Sequence, residues 1–355
     1  MNTIVCLIYG NRREYHLELT YSVLSASHFM RKEFRDIRIV LITTAAGRRD
    51  DLPVHHIIID DSEMNRWMLD GKYTHASKYE ALVRAMDKFR GRVLLIDTDT
   101  YFTRHPGTLF ERIGRDRALM HDYDAPLGAH EYWLKLLTKV DRPLAGYTVD
   151  AASPMFNSGV VGVDWSIRPK MSDVYDLMTE LFAIEPVFNV EQYAFSAVLG
   201  THASLSVCPD VVRHYWGFDR RFVHAQLDGL FPEFSKELFE RNVGQLYSLG
   251  MPRKPLLDRV RAKAIRLLRK NNKQYGFAYL CYLCSLSSDN AKLADVWANT
   301  ALDALVSKAI SWSEGSLAHV KRDFCEFRSE RLEGHPWMRP ETCQRWSQYW
   351  DETGG

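Results

Sequence analysis

The chain has 355 residues, of which 46% are hydrophobic and 12% aromatic, enough to bury a sizeable core in one large domain with an appendage or in two domains. With 46 basic residues against 45 acidic ones, it carries no global electrostatic footprint for nucleic acid. Six cysteines are too few to scaffold a chain of this size with disulfides, so reduced thiols are the expectation.

Residues 1–9 are mostly apolar, lack a basic leading segment and turn polar at Gly10, which reads as a first core strand over 3–9 rather than a signal peptide. No run approaches the length of a membrane span, and Asn-x-Ser/Thr sequons are absent, so a cytoplasmic protein is expected. Helical periodicity follows over 14–34 through Leu17, Tyr21, Leu24 and His28, then a second strand over 37–43, completing a βαβ unit. A third strand over 54–59 ends at Asp60-Asp61. The amphipathic stretch 77–89, with Leu82, Ala85, Met86 and Phe89 on one side, leads into the apolar run 93–96. This alternation predicts an α/β fold of Rossmann type with a mostly parallel sheet. Neither a Gly-x-Gly-x-x-Gly nor a P-loop motif follows the first strand, so dinucleotide and P-loop readings lose their support.

The run Val93-Leu94-Leu95-Ile96 delivers Asp97 and Asp99 at the carboxyl end of a strand covered on both faces, where ligands of such sheets collect. Side chains alternate along an extended segment, so two aspartates one residue apart can point the same way and share a divalent cation. The plainer reading is a strand-end turn, since Asp and Thr are ordinary turn residues.

Ile96-Asp97-Thr98-Asp99-Thr100 resembles the Asp-x-Asp signature of nucleotide-sugar glycosyltransferases of the GT-A fold, in particular the glycogenin and bacterial (lipopolysaccharide-type) galactosyltransferase group. It also satisfies the Asp-x-Asp-x-Thr motif of haloacid-dehalogenase-type phosphohydrolases, which would use Asp97 as nucleophile. Four further stretches favour the first resemblance. Lys78, in the helix before the central strand, stands where that group has an Arg or Lys; a solvated helix lysine is the alternative. Met155-Phe156-Asn157-Ser158-Gly159 resembles the segment whose asparagine and glycine border the donor sugar, although Asn-Ser-Gly is also an ordinary turn. Val190-Glu191-Gln192 resembles the helix start that faces the reaction centre. His214, in the strand-like run 211–217, matches a histidine that related enzymes use as third metal ligand.

The resemblance covers the first two-thirds of the chain. It implies a GT-A-like domain over 1–250 that transfers a sugar from a nucleotide-diphosphate donor, UDP-sugar in that group, to a glycan or lipid-linked acceptor, with retention. Mn²⁺ or Mg²⁺ would be held by Asp97, Asp99 and His214. Lys78, Tyr9 and Arg220 would join the two aspartates around the nucleotide, while Asn157, Glu191 and Gln192 would line the reaction centre. Two departures stand out: Asp219-Arg220-Arg221-Phe222 replaces the group's Lys-Pro-Trp, and no acidic residue follows the first strand at Gly10-Asn11. The phosphohydrolase reading lacks a late Gly-Asp-x-x-x-Asp motif. A nucleotidyltransferase would need a Gly-rich loop that is missing, and a non-catalytic sugar-binding protein on this fold would be free to lose the aspartates it keeps.

From about Pro252 the chain reads as a helical domain over 251–355. The stretch 255–273 places Leu256, Val260, Ala264, Leu267 and Leu268 on one face, with Arg259, Arg261, Lys263, Arg266, Arg269, Lys270 and Lys273 largely around it. Two readings stand: a helix on the inner face of an anionic membrane, or a helix packed on its own domain with a solvated basic face. Further helices are expected over 275–286, 290–312, 317–332 and 340–350. Cys281 and Cys284 have Cys-x-x-Cys spacing without a second metal-binding pair, and core packing is their expected role.

Overall fold

The computed structural model describes residues 1–31, 36–250, 252–269, 272–306, 327, 331–332, 335–336 and 338–352. Its strands are β1 (Asn2–Leu7), β2 (Ile37–Thr43), β3 (His55–Ile58), β4 (Arg92–Ile96), β5 (Thr100–Phe102), β6 (Arg117–Met120), β7 (Tyr123–Pro126), β8 (Pro154–Phe156), β9 (Val160–Asp164), β10 (Ser204–Val207) and β11 (Val212–His214). The helices are α1 (Arg13–Met30), α2 (Asp61–Trp67), α3 (Ala76–Phe89), α4 (Gly107–Phe110), α5 (Glu131–Leu137), α6 (Met171–Ile184), α7 (Val190–His202), α8 (Arg220–Leu230), α9 (Lys236–Asn242), α10 (Leu256–Leu268), α11 (Lys273–Leu286) and α12 (Ala291–Val306), followed by Pro340–Glu352. Two compact units result, one of residues 1–216 with 231–248, the other of 217–230 with 249–355.

The first unit is built on a seven-stranded sheet of order β10-β6-β9-β4-β1-β2-β3. Strands β3, β2, β1 and β4 run parallel, as the alternation of apolar runs and amphipathic helices requires. Ile4 and Val5 of β1 and the aliphatic residues of β4 are buried, and Leu82, Ala85 and Met86 of α3 are buried with them. The mostly parallel α/β sheet expected from the sequence is therefore present, with one reversal. Strand β9 lies antiparallel between β4 and β6, pairing Ile96 with Val160. Reversal puts the start of β9 beside the end of β4, which carries residues 157–159 to the aspartates.

A second device is the two-stranded ribbon β5–β11, antiparallel, which pairs His214 with Thr100. Helix α1 braces this ribbon from inside: the Phe102 amide donates to Ser25 Oγ at 2.9 Å, and Thr98 Oγ1 donates to the buried Glu18 carboxylate at 3.1 Å. The helix expected over 14–34 ends at Met30, and residues 32–35 lie outside the described ones.

In the second unit α8 packs with α11, α12 and Trp346 around Phe222, Tyr275, Tyr282, Trp297 and Phe327. Residues 217–230, assigned to the first domain by the sequence reading, group here because the Phe222 ring lies tilted 4.3 Å from that of Trp297 and Arg221 pairs with Asp303 at 2.5 Å. Cys281 and Cys284 are buried free thiols in this core. Asn272 separates α10 from α11, its side chain accepting from the Tyr275 amide at 3.0 Å, so the stretch 255–273 is not one continuous helix. Most of the helix expected over 317–332, the end of that over 290–312, Lys270 and Cys325 lie outside the described residues.

Candidate active site

Strand β4 ends at Ile96, and the next amide, that of Asp97, donates to Gly159 O at 2.9 Å. The chain then turns instead of staying extended. Thr100 Oγ1 donates to Asp97 O at 2.7 Å, and the Tyr215 amide donates to Asp99 O at 3.1 Å. The two aspartates thus converge through a turn, not through the alternation of an extended segment. The turn expected at these residues is present, and it brings the two carboxylates together. One ligand atom each from Asp97, Asp99 and His214 lies within 4.8 Å of the others, the spacing of a cation site.

The donor set can be tested without an ion. Asn157 Oδ1 accepts from the Gly159 amide at 2.9 Å; a backbone N–H can only donate, so this atom is an oxygen. His214 Nδ1 lies 3.1 Å from the same oxygen and must therefore carry its proton there. That leaves the Nε2 lone pair 3.1 Å from Asp99 Oδ1. Two electron-rich atoms facing each other call for a second ring proton or a cation, and with Asp97 beside them a dication fits. Gly159 is required for this geometry: a Cβ there would sit 2.4 Å from His214 Nδ1. His121 stands edge-on to His214 at 5.4 Å, with Nε2 3.1 Å from Val212 O; burial and the neighbouring His214 push its pKa down.

Lys78 completes the cluster. Its ammonium lies 2.7 Å from Asp97 Oδ2, 3.3 Å from Ser158 Oγ and 3.6 Å from Glu191 Oε1, with the side chain 14% exposed. Burial alone would lower its pKa, but the charges of Asp97 and Glu191 outweigh that and raise it. The solvated-helix alternative for Lys78 is therefore excluded. Glu191 is sealed from solvent: it accepts from Ser158 Oγ at 3.1 Å and from the Tyr73 hydroxyl, and burial followed by the Glu191 charge raises the pKa of that phenol. Glu191 thus supports Lys78 from the buried side. Gln192 Oε1 accepts from the Ser158 amide at 3.3 Å, and its Nε2 donates to Asp124 at 3.2 Å.

No protein-family model matches this sequence, and neither does any curated protein. Solved structures similar to it include the galactosyltransferase LgtC in complex with donor and acceptor sugar analogues, at 14% identity and a TM-score of 0.45, covering 71% of this chain and 98% of that one. An active-site mutant of LgtC gives 14% identity and a TM-score of 0.45, covering 72% and 99%. Mouse xyloside xylosyltransferase 1 in its apo form gives 13% and 0.41, covering 59% and 85%. All three are glycosyltransferases.

Of the residues singled out by sequence, Lys78, Asp97, Asp99, Asn157, Gln192 and His214 meet in the first unit, and Glu191 lies beneath them. Tyr9 joins their edge: burial raises its pKa, its hydroxyl meets Thr74, and it senses the charges of Lys78 and Asp97. Arg220 opens α8, which groups with the second unit. Sequence reasoning passed over Ser158, which bridges Lys78 and Glu191 yet reads as a turn residue. It also passed over Tyr73 and Glu18, whose partners lie far away in the chain. Asp124 gains its place through its bond to Gln192. The phosphohydrolase alternative is not favoured, since among the described residues the third member of the cluster is His214 and not a late carboxylate.

Proposed function

We propose that this chain is a metal-dependent glycosyltransferase that moves a sugar from a nucleotide-diphosphate donor, UDP-hexose in the first instance, to a glycan acceptor with retention of configuration. The observation that carries the reading is the convergence of Asp97, Asp99 and His214, with His214 Nε2 3.1 Å from Asp99 Oδ1, a donor set of two hard carboxylates and one imidazole. Mn²⁺ or Mg²⁺ would be held there, and when bound it supplies Lewis-acid stabilisation of the charge that builds on the leaving diphosphate. Lys78 adds a second positive charge at the same end, kept protonated by Asp97 and Glu191. Asn157 Oδ1, 3.1 Å from His214 Nδ1, orients the ring so that Nε2 faces Asp99. Gln192, fixed between the Ser158 amide and Asp124, borders the transferred sugar.

An acceptor with sugar rings is supported by the rim. Tyr123, Trp216, Phe188 and Tyr132 are exposed; Tyr123 packs edge-on against Phe156, beside Asn157, and Phe188 against Tyr132. Trp216 lies 6.4 Å from the His214 ring, while Tyr132 bonds His130, which faces Asp124 at 3.8 Å. Flat apolar faces beside a polar centre suit the CH-rich faces of saccharides.

The test is a mass-spectrometric screen of donor hydrolysis across UDP-, GDP-, CMP- and TDP-sugars with Mn²⁺, with Mg²⁺ and with EDTA. Metal-dependent release of a nucleoside diphosphate from one donor class is expected, and the anomer formed reports retention. Full activity in EDTA, or an aspartyl-phosphate on Asp97, would overturn the reading.

A further inference from the structure

Helix α10 is inside out with respect to its own unit. Leu256, Leu257, Val260, Leu267 and Leu268 are 73%, 58%, 57%, 60% and 77% exposed, whereas Asp258 and Ala262 are 3% and 5% exposed. The packed side is thus Asp258, Ala262, Ile265 and Arg266. Asp258 accepts from Ser287 Oγ at 2.8 Å, Ile265 packs against the core of the unit, and the Arg266 stem passes so close to Gly276 of α11 that a Cβ there would lie 2.8 Å away. The leucine face is not what holds the helix to its unit.

With about 100° between successive residues, the outward apolar residues Leu256, Leu267, Val260, Ala264, Leu257 and Leu268 fill one continuous sector about 120° wide. Arg261 borders it on one side, and Lys263 and Arg259 on the other; all three are exposed. The helix has one acidic residue, Asp258, and that one is turned inward. Every charge the outward sides present is therefore positive.

We propose that α10 docks this protein on an anionic lipid surface, lying in the plane of the interface. The leucine sector sinks among the acyl-chain ends, while Arg261, Lys263 and Arg259 reach to the phosphates at its edges. A soluble protein partner would be met equally well by leucines without a cationic border, so the charge pattern selects the lipid. No helix among the described residues is long and apolar enough to cross a membrane, so the attachment is peripheral. This docking goes beyond the proposed transfer reaction and does not depend on it.

The full chain is sedimented with vesicles of about equal parts phosphatidylglycerol and phosphatidylcholine, and with phosphatidylcholine alone. Binding to the anionic vesicles that fades as salt rises is expected, with about a tenfold loss for Leu267→Gln/Leu268→Gln and for Arg261→Glu/Lys263→Glu. These positions face solvent, so circular dichroism is expected to show an unchanged fold. Equal, salt-insensitive behaviour on both vesicles, or parental binding by the leucine variant, overturns the proposal. A concentration-dependent dimer that the leucine variant dissociates, with no vesicle binding, overturns it in favour of a second copy of this chain.

Discussion

Replacing Gly159 with alanine adds one carbon at the point where the cluster is tightest. The new Cβ would stand 2.4 Å from His214 Nδ1, 2.6 Å from its Cε1 and 2.9 Å from Asn157 Oδ1. Ordinary non-bonded contact begins at about 3.5 Å, so the imidazole must retreat by about 1 Å. Its backbone cannot follow, because β11 is registered against β5, and the Asp97 amide holds the Gly159 carbonyl. The ring has to rotate instead, losing Asn157 and turning Nε2 away from Asp99. Metal–ligand distances tolerate only about 0.2 Å, and losing an orienting partner commonly costs about 10- to 100-fold in metal affinity. Gly159→Ala is therefore expected to weaken Mn²⁺ binding by about 10- to 100-fold, read by the electron paramagnetic resonance signal of free Mn²⁺, with an unchanged far-ultraviolet spectrum. Parental affinity in a folded variant would refute the role given to His214.

Asp99→Asn exchanges a carboxylate for an amide at the hard-ligand position, and turnover is expected to fall by about a hundredfold, unrecovered by excess Mn²⁺; parental rates would remove the metal pair from the mechanism. Lys78→Met is expected to raise the donor's Kd in calorimetry while leaving the fold intact. The same lysine fixes a pH effect: its pKa is raised in the folded chain, so its stabilising contribution is complete below the ordinary lysine value of 10.5 and is lost as pH climbs beyond it. Parent and Lys78→Met melting temperatures should therefore converge above that pH, and parallel curves would contradict the assigned shift. Burial pushes the Cys6, Cys208 and Cys284 thiols up to about 12, so iodoacetamide at pH 8 should leave them unmodified until the chain unfolds, as read by mass spectrometry.

Much of this site could be read from sequence because its parts sit at strand ends. The aliphatic run before Asp97 announces a buried strand, and the Asn and Gly of residues 157–159 announce a turn that must fit something close. What periodicity cannot supply is direction and partner. The reversal of β9, the turn that replaces strand alternation at Asp97 and Asp99, and the burial of Glu191 beneath Lys78 all depend on contacts between distant segments. Helix α10 makes the same point: spacing shows which residues share a face, but not whether that face is covered. Residues 217–230 group with the helical unit because Phe222 meets Trp297, a partner well beyond that segment that periodicity does not reveal.

The β5–β11 ribbon also works as a ruler for descent. It ties Thr100 to His214 across more than a hundred intervening residues, so insertions and deletions in the loops between them leave the site untouched. Within the ribbon no such freedom exists. Losing a single residue from Val212 or Arg213 would shift the register by one and swing His214 to the opposite side of the strand. Loop length between the two strands is thus free to change, whereas the count from Thr100 to Phe102 and from Val212 to His214 is not.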